Sequence, residues 1–552
     1  MLDKPAVATL LSQRFANDKH TSLSQLPLPH TMSGAKKAAS IIAASIKNNE
    51  KIAIVGDYDC DGVCSSAILD EFFCDIGYKN HKVKIPNRFK DGYGLNESIV
   101  GELDAQLIIT VDNGITAFEA ANECKKRGIK LVITDHHMPL DELPQADGLV
   151  DPQCKDNEFA FKEICGAQVA WYLVAALKDE LGLVGYELGK FTDLLALAII
   201  ADMMELKDMN RVLVRAGLRQ INSFARPCFR AIARLSGKES FAFKESFTFK
   251  ESKAFKESKA FKESKAFKES FTFDDISFLI TPLVNSAGRM DDATVSFEFL
   301  RSRDLRCAES LLAKISECNA VRKEREKELF ELCAKSVSEN DKVVVVWGEG
   351  WHEGVIGIVA SRLARLYKRP AIVFSIDGQR AKGSARSVGK FDILALISSC
   401  ESFLSSFGGH KGAAGLVAKP CKLAQLKTAL NEACSNVDFN QISHDDLLGD
   451  IKADCVDSEL MDIIDSFAPY GSKNPKPVFA LRSALVVGVN TIGSEGLHLR
   501  LVLKADNRCF EAVYFNFEKR PAMGVRIDVL FTLGRNYFRG QESLQLIIQE
   551  IL

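Results

Sequence analysis

Short apolar runs that end in acidic residues recur along the first half of the chain. The runs, each with the acid that follows it, are Ile52–Gly56 with Asp57, Leu107–Val111 with Asp112, Lys130–Thr134 with Asp135, Gly148–Val150 with Asp151, and Leu194–Ala201 with Asp202. The first three are short and β-branched, as strands buried on both faces are. Helical patterns lie between them. This alternation predicts a parallel α/β sheet, with functional residues beyond the carboxyl ends of its strands.

The first acidic end, DYDCDG, brings three carboxylates together. Every second residue of this motif is an aspartate: Asp57, Asp59 and Asp61. Residues two apart in an extended segment point to the same face. Such close like charges repel strongly unless a cation lies among them. A single aspartate after a strand is more often a helix N-cap or an Asx turn. Because the pattern recurs, we favour a shared metal site. Its candidate ligands are Asp59, Asp61, Asp112, His136 and Asp202.

The types of these side chains narrow the choice of metal. Carboxylates with one or two imidazoles suit Mn²⁺ or Mg²⁺ better than a zinc site built from thiolates would. Shared aspartates can hold two such ions about 3.5–4 Å apart, an arrangement that clamps the attacking and leaving oxygens of phosphoryl transfer. The residues therefore predict a two-metal site for phosphoester chemistry.

Four motifs in order resemble those of the DHH phosphoesterases: DYDCDG, VDNG, the triplet Asp135-His136-His137, and IIADMM. The resemblance implies that Asp59, Asp61, Asp112, His136 and Asp202 bind metal. It also implies that His137 faces the substrate phosphate and that Asp57 supports the site. Some members carry a histidine four residues before the first ligand aspartate, where this chain has Val55. We therefore expect water or substrate to complete one metal position.

Two basic segments are candidates for phosphate binding. The loop Pro86–Leu95 is rich in glycine, arginine and aromatic residues, which suits phosphate and base contacts, although its composition fits a plain surface loop equally well. It resembles a loop of RecJ-type exonucleases, members of the DHH/DHHA1 family, that places an arginine, here Arg88, at the 5′-terminal phosphate. Thr281–Met290 also resembles a RecJ segment, which makes Arg289 a candidate phosphate contact.

Glycine-rich segments in the second half supply further candidates. GSARS (Gly383–Ser387) and GGHKGAAG (Gly408–Gly415) combine glycines with cations, and we expect the backbone amides of such loops to bind phosphate. They resemble the DHHA1 domain, which faces the metal domain across the substrate groove. The resemblance implies that Ser384 and Arg386 hold the 5′ phosphate and that His410 contacts a backbone phosphate near the metals.

The remaining patterns predict a helix and a barrel. Residues 304–339 carry an apolar stripe of helical period, and a helix of this length can bridge two domains. From Leu447 onwards, five short alternating strands suit an OB-type barrel. A turn before them, Pro469–Pro477, resembles one in RecJ but has Lys473 in place of a glycine. Candidates to stack on or track a nucleic-acid strand are Phe510, Tyr514, Phe517, Tyr537 and Arg539, and we expect half of the aromatic residues to be core instead.

These patterns divide the chain into two α/β domains joined by a long helix, with a C-terminal barrel. The predicted parts are a lead-in at 1–32, a DHH catalytic domain at 33–303, a connecting helix at 304–340, a DHHA1 domain at 341–440 and an OB-type domain at 447–552. Six hexads at 238–273 interrupt the first domain, and all of their phenylalanines are odd-numbered. Extended, they would form a partner-binding ribbon. We favour the alternative, an expanded repeat tolerated in a surface loop.

Composition limits the class of protein. A formal net charge of −2 over 552 residues argues against a uniformly basic nucleic-acid binder. Fifteen cysteines without a CxxC pair indicate reduced thiols, as in a cytoplasmic protein. We recognise no signal peptide, and no apolar run approaches the ~20 residues of a membrane span. We therefore expect a soluble, cytoplasmic protein that does not bind membranes.

The resemblance implies a metal-dependent 5′→3′ exonuclease of single-stranded DNA that serves DNA repair and recombination. Its expected partners are single-stranded DNA, a single-stranded-DNA-binding protein and a helicase, and we expect a monomer. One alternative is a DHH-family phosphodiesterase of short RNA oligomers or cyclic dinucleotides, but such relatives generally lack the C-terminal barrel. The other is a non-catalytic DNA-binding scaffold, but such relatives lose ligand acids, and all five ligands are present here.

Overall fold

The first sheet carries the acidic motifs. The computed structural model describes residues 1–238, 270–439, 446–493, 496–517, 519–538 and 541–552. The strands of the first sheet are β1 (Ile52–Val55), β2 (His81–Lys84), β3 (Leu107–Val111), β4 (Lys130–Thr134) and β5 (Gly148–Val150). Their order is β2-β1-β3-β4-β5 and every pairing is parallel. Alternate residues of β1 enter two different hydrophobic cores, so both faces are buried. The predicted parallel sheet is confirmed, with β2 added.

Helices cover both faces of this sheet. Helix α1 (Lys4–Gln13) comes first in the chain and packs against the C-terminal domain instead. The helices of the first domain are α2 (Ala35–Lys47), α3 (Cys60–Asp75), α4 (Glu97–Glu102), α5 (Phe118–Arg127), α6 (Gly166–Glu180), α7 (Thr192–Ala201), α8 (Asp208–Asn222), α9 (Pro227–Leu235), α10 (Thr281–Met290) and α11 (Thr294–Leu300). The placement of Asp202 at a strand end was wrong, because the run before it forms α7. This helix is buried nearly all round, so its sequence shows no helical period.

The N-terminal lead-in packs on the opposite end of the chain. Val7 and Leu11 of α1 are fully buried in the hydrophobic core of the C-terminal domain. The Leu2 N–H donates to the carbonyl of Asp450 at 2.6 Å. The lead-in is therefore part of the barrel's packing, which its polar sequence did not indicate.

A long helix leads to the second α/β unit. Helix α12 (Leu305–Lys335) buries Ala308, Leu312 and Ile315 in the first domain's core, and Leu329 and Cys333 in a core of the second unit. The second sheet has strands β6 (Val344–Glu349), β7 (Ala371–Asp377), β8 (Arg380–Arg386), β9 (Leu404–His410) and β10 (Ala413–Ala418), in the order β6-β7-β8-β10-β9. Its helices are α13 (Glu353–Tyr367), α14 (Ile393–Ser398) and α15 (Leu423–Ala433).

The glycine-rich segments of this unit are strands rather than the predicted loops. GSARS lies mostly on β8, and GGHKGAAG forms the hairpin of β9 and β10. Gly383 allows a close approach, because a Cβ there would lie 2.5 Å from the ring of Phe374. Sheet pairing engages much of the backbone of these segments. The side chains, rather than loop amides, are therefore the groups left to bind phosphate.

The C-terminal region is a closed barrel. Its elements are β11 (Leu447–Asp450), α16 (Ser458–Ser466), β12 (Val478–Ile492), β13 (His498–Ala505), β14 (Arg508–Tyr514), β15 (Arg526–Phe538) and β16 (Gln541–Ile551). The order β12-β13-β14-β16-β15 closes through a further pairing of β12 with β15. Only β14 and β16 pair in parallel within this ring. These are the five predicted strands, and they form an OB-type barrel.

Two of the proposed stacking residues of the barrel are core residues. Phe510 is 9% exposed and Tyr514 is 7% exposed, and both belong to the barrel's hydrophobic cluster. Phe517 packs against the same cluster. The side chain of Tyr537 and all of Arg539 lie outside the described residues. Phe515, which the sequence analysis passed over, is 52% exposed, and His498 contacts its ring edge-on at 5.3 Å between centroids.

The hexad repeat lies mostly outside the described residues, so its two interpretations stay predictions. Its first and last described parts meet, since the Lys238 ammonium donates to the carbonyl of Ser270 at 3.1 Å and to Asp275 at 2.8 Å. Phe271 of the last hexad is buried in the first domain's core. Separately, every described helix is too short or too polar to span a lipid bilayer.

Candidate metal centre and facing arginine pocket

Asp57, Asp59 and Asp61 lie where β1 passes into α3. The prediction that all three sit on one extended segment was wrong, since α3 begins at Cys60. Asp59 is the N-cap of α3 and accepts the N–H groups of Asp61 and Gly62 at 3.0 and 3.1 Å. The N-cap interpretation thus holds for Asp59 without removing it from the acidic cluster. Asp57 is 4% exposed, and its Oδ1 has no hydrogen-bond partner in the described part of the chain.

The start of a distant helix fixes Asp61. Its carboxylate accepts the N–H groups of Gly166 and Ala167 at 2.6 and 2.8 Å, at the N-terminus of α6. This end of a helix favours a negative charge. The sequence gives no local signal for this contact because 105 residues separate Asp61 from Gly166. The apolar run after Gly166 would have predicted the helix, although not its partner.

Asp112 stands at the carboxyl end of β3 in an unusual backbone conformation. Its φ is 63°, in the left-handed region that non-glycine residues rarely adopt. Gly166 leaves it room, because a Cβ there would lie 2.5 Å from Asp112 Oδ1. His136 Nε2 lies 3.1 Å from the same oxygen, without the alignment of a hydrogen bond. Strained backbone of this kind clusters at functional sites.

Asp135 organises the two histidines. Its Oδ1 accepts the N–H groups of His136 and His137 at 2.8 and 3.2 Å and lies 2.7 Å from His137 Nδ1. Its Oδ2 accepts the N–H of Ile115 at 2.9 Å. Burial opposes the charging of His137, but the hydrogen bond and charge of Asp135 outweigh it and raise the pKa of His137 to about 9. His137 is therefore a cation at neutral pH, and its side chain is 48% exposed.

His136 is the inward-facing histidine. Burial lowers its pKa, so the ring is neutral and can bind a metal. Its Nε2 lies 3.6 Å from Asp61 Oδ2 and 3.8 Å from Asp202 Oδ2. Asp202 follows α7, its side chain is 32% exposed, and its Oδ2 has no hydrogen-bond partner among the residues described. The end of α7, rather than the end of a strand, thus places the Asp202 carboxylate near His136.

The seven predicted catalytic residues form three overlapping groups. In each group, ligand atoms lie within 4.8 Å of one another: Asp57 with Asp59 and Asp112; Asp112 with His136 and His137; and Asp61 with His136 and Asp202. Burial first, and then neighbouring carboxylates, raise the pKa of Asp57, Asp112 and Asp202 well above the usual range. Buried carboxylate oxygens without partners, next to a neutral imidazole, fit divalent cations. Because Asp112 and His136 each belong to two groups, the arrangement suits two ions.

An arginine pocket adjoins this centre. The Arg88 guanidinium lies 4.0 Å from the ring centre of Tyr58, the residue between Asp57 and Asp59. Its Nε donates to the carbonyl of Gly288 at 3.3 Å. The next residue, Arg289, donates to the carbonyl of Gly354 in the second unit at 3.3 Å. Burial, and then the charge of Arg88, lower the pKa of Arg289 to about 10.

The second unit completes the pocket. The Arg386 guanidinium donates to Ser384 Oγ at 2.9 Å, and its charge also lowers the pKa of Arg289. The backbones of Arg386 and His410 flank Ala413 on neighbouring strands, so they lie about 10 Å apart. Burial and then Arg386 lower the pKa of His410. Within the described residues, no carboxylate pairs with Arg88, Arg289 or Arg386, which leaves three cations for a ligand anion.

The N-terminus of α13 also faces the pocket, and the sequence analysis did not assign it. A Cβ at Gly354 would lie 1.9 Å from the carbonyl oxygen of Arg289, and one at Gly357 would lie 2.9 Å from Arg386 Nη2. His352 caps this helix by accepting the Gly354 N–H, and its ring contacts Phe89 edge-on at 5.3 Å between centroids. A helix N-terminus with adjacent arginines is a binding site for phosphate.

Comparison with known proteins gives a consistent picture. Family models match the DHH family N-terminal domain at residues 51–199, the DHHA1 domain at 340–436 and the RecJ OB domain at 449–550. The single-stranded-DNA-specific exonuclease RecJ of Bacillus subtilis is 31% identical over 572 residues, which cover 99% of this chain and 68% of that protein. RecJ of Haemophilus influenzae is 30% identical over 554 residues, covering 95% of this chain and 91% of that protein.

Solved structures show the same fold. RecJ from Thermus thermophilus in complex with Mn²⁺ gives a TM-score of 0.81 at 24% identity, covering 100% of this chain and 75% of that one. The same protein in complex with Mg²⁺ gives 0.75 at 22% identity, covering 99% and 74%. The predicted combination of two α/β domains, a joining helix and an OB-type barrel is confirmed.

Proposed function

Because this chain belongs to the RecJ family of single-stranded-DNA-specific exonucleases, we propose that it hydrolyses the phosphodiester bonds of single-stranded DNA from the 5′ end, using Mn²⁺ or Mg²⁺. The observation that carries this proposal is the juxtaposition of overlapping acid–imidazole groups with a pocket of three arginines that no described carboxylate pairs. A metal centre beside an anion pocket suits cleavage next to a terminal phosphate.

The proposed metal ligands are the five that the sequence analysis named: Asp59, Asp61, Asp112, His136 and Asp202. Bound divalent ions would supply an activated water and neutralise charge that develops on the phosphate. Asp57 would support the acidic cluster next to Asp59. His137, held charged by Asp135 and half exposed, would contact a substrate oxygen. Asp135 thus orients one histidine toward substrate while its backbone contacts fix the other.

The arginine pocket supports the 5′ polarity. A terminal phosphate carries more charge than an internal one, and Arg88, Arg289 and Arg386 together offer three planar donor groups. We propose that Ser384 orients Arg386, to which it is hydrogen-bonded, toward this phosphate. His410, further along the sheet, would contact the next backbone phosphate.

The presence of the barrel favours a long single-stranded substrate over a short one. A phosphodiesterase of dinucleotides or short oligomers, the first alternative, gives no role to a closed five-stranded barrel at residues 449–550. A non-catalytic scaffold, the second alternative, gives no reason for buried carboxylate oxygens that have no hydrogen-bond partner in the described part of the chain. A role in DNA repair and recombination, cytoplasmic location, a monomeric state, and association with a single-stranded-DNA-binding protein and a helicase stay predictions.

The experiment is a Mn²⁺-dependent digestion of single-stranded oligonucleotides labelled at the 3′ end, with either a 5′ phosphate or a 5′ hydroxyl, and of the matching duplex. We expect 5′→3′ degradation of the single strand alone. Arg386→Ala should raise KM for the 5′-phosphorylated strand by about 10- to 100-fold, since it removes a charge-assisted contact. Arg380→Ala, at the exposed start of the same strand, is the matched control. Degradation from the 3′ end, or of dinucleotides only, would refute the proposal.

A further inference from the structure

The metal ligand Asp202 lies on a segment that the barrel domain touches. Its carboxylate Oδ2 has no hydrogen-bond partner among the described residues, so side-chain contacts do not fix it. Its position therefore depends on the backbone that follows α7. We propose that the turn Pro469–Pro477 is a positioning element for Asp202 and thereby sets the affinity of the metal centre. The inference rests on the proposed metal site.

The backbone at the end of α7 is strained. The Met203 N–H donates to the carbonyl of Ile200 at 3.2 Å, and the Met204 N–H to that of Ile199 at 3.0 Å. This pair of bonds is a Schellman motif, which normally has glycine at the position of Met203. Met203 instead adopts a φ of 55° and is 76% exposed. Its exposed side chain contributes little packing, so the two hydrogen bonds of the motif and the chain beyond it hold the strained conformation.

The turn holds this chain two residues further on. The Leu206 N–H donates to the carbonyl of Ser472 at 2.9 Å, and the Leu206 side chain is 1% exposed. A Cβ at Gly471 would lie 2.7 Å from Phe273 Cζ and 2.8 Å from Leu206 Cδ1, so this glycine leaves the space that these two side chains fill. Lys473 Nζ lies 3.8 Å from a carboxylate oxygen of Glu205. The turn thus contacts Glu205 and Leu206, close behind Asp202.

The turn itself is rigid. Gly471 and Asn474 exchange both backbone hydrogen bonds, at 2.9 and 3.1 Å. The fully buried Asn474 side chain donates to the carbonyl of Pro469 at 2.7 Å. Lys473 has a φ of 56°, which explains why the related RecJ turn has glycine there. A rigid turn can transmit its position to Leu206, whereas a flexible one could not.

Arginines of the catalytic domain anchor the residues leading into the turn. Arg215 on α8 donates to the carbonyls of Ala468 and Ser466 at 2.8 and 2.7 Å. Arg211, one helical turn earlier, donates to the carbonyl of Phe467 at 3.0 Å. These bonds cap the C-terminal end of α16 and fix the barrel domain against α8. The path from the barrel to Asp202 is therefore continuous.

Gly471→Ala is the first test, because the added methyl group would push on both Phe273 and Leu206 while the backbone of residue 471 tolerates alanine. A variant of Leu206 separates the contribution of Leu206 from that of Phe273. We expect Mn²⁺ binding to the full-length protein, measured from the electron paramagnetic resonance signal of free Mn²⁺, to weaken by about 10-fold. Leu206→Val, which removes the contacting Cδ atoms without adding bulk, should weaken it in the same direction. Gly189→Ala, where the added Cβ would meet no described atom within 4 Å apart from its chain neighbours, should leave the Mn²⁺ affinity unchanged.

Binding of a labelled single-stranded oligonucleotide in EDTA separates positioning from general damage. We expect Gly471→Ala and Leu206→Val to keep wild-type affinity for the oligonucleotide while losing affinity for Mn²⁺. Wild-type Mn²⁺ affinity in both variants would overturn the proposal, and so would a parallel loss of both affinities. Asp202→Asn is the reference for the ligand itself. If it keeps wild-type Mn²⁺ affinity, the metal-site assignment fails, and the positioning proposal fails with it.

Discussion

Asp112→Asn should change stability in opposite directions without and with metal. Asp112 is 2% exposed and belongs to two of the acid–imidazole groups. In the metal-free protein burial and the neighbouring carboxylates both oppose its charge, whereas with Mn²⁺ bound it would be a shared ligand. The amide keeps the size of the side chain and removes the charge. We therefore expect the variant to be more stable than the wild type in EDTA and less responsive to Mn²⁺.

The structure sets the size of the two effects. Ligand atoms within each group lie within 4.8 Å of one another. Two unit charges at that distance repel by about 3.5 kcal/mol at an effective dielectric constant of about 20. Relief of about 3 kcal/mol raises the melting temperature of a domain of this size by about 6–12 °C. Mn²⁺ at about 100 times its dissociation constant stabilises the wild type by about 2.7 kcal/mol.

The assay is thermal unfolding followed by circular dichroism at pH 8, in EDTA and in MnCl₂. Wild type should gain about 5–10 °C from Mn²⁺, and Asp112→Asn should gain far less and lose exonuclease activity. Asp141→Asn, at a side chain that is 100% exposed, is the matched control for loss of a carboxylate. The reasoning is refuted if Asp112→Asn melts below wild type in EDTA while Mn²⁺ stabilises both proteins equally.

Three further predictions test other parts of the molecule. Burial raises the pKa of the Asp151 carboxyl to about 7; its contribution to stability is full below the usual aspartate pKa and is lost as pH rises to about 7. In EDTA, the free energy of unfolding of Asp151→Asn relative to that of wild type should therefore rise by about 4 kcal/mol between pH 4 and pH 8, as measured by urea unfolding. The same difference between the two proteins at both pH values would contradict this. Phe515→Ala should weaken binding of single-stranded DNA by about 10-fold, in a fluorescence anisotropy assay, because base stacking is lost, whereas Phe510→Ala should mainly lower the melting temperature; the reverse pattern would return Phe510 to the binding surface. Gly166→Ala would place a methyl group 2.5 Å from Asp112 Oδ1 and should reduce Mn²⁺ affinity by about 10-fold in a calorimetric titration, whereas unchanged affinity would show that Asp112 can move without consequence.

The sequence predicted those parts of the fold that have a local signature. Strands β1, β3 and β4 are β-branched runs of four or five residues, and apolar and polar residues alternate along the barrel strands. Each of these two patterns is typical of a strand and not of a helix. The pattern of Leu194–Ala201 does not distinguish the two, because a segment buried on every side is equally apolar as a helix and as a strand. The glycine-rich segments were mistaken for loops because glycine also marks strands whose neighbours come close, as Gly383 does beside Phe374.

For the candidate site, too, the sequence predicted the features that have a local signature and not those that depend on distant contacts. The acids and histidines could be named because each directly follows a regular element or lies in a short motif. Their orientation could not, since Asp61 is fixed by the N-terminus of α6 and Arg289 meets the start of α13. Such contacts join residues far apart along the chain, so no local pattern encodes them. The stacking role given to Phe510 failed for a related reason, because strand alternation does not tell which face of a closed barrel is its inside.

The two halves of the site carry groups of opposite charge, and in each half these groups lack partners within the described part of the chain. One half holds buried carboxylate oxygens that have no hydrogen-bond partner among the described residues, and the other holds three arginines that no described carboxylate pairs. Each half alone costs stability, since desolvated charges of one sign repel and lack counter-ions. The obvious remedy, ion pairs between the two, is absent across the described residues, although Arg88 stacks on Tyr58 between two of the acids. A phosphate with divalent cations would satisfy both halves at once, because the arginines would hold its charge on one side and the acids and His136 would hold the cations on the other. The separation of the charges is therefore itself an argument that the ligand is a phosphoester held between them.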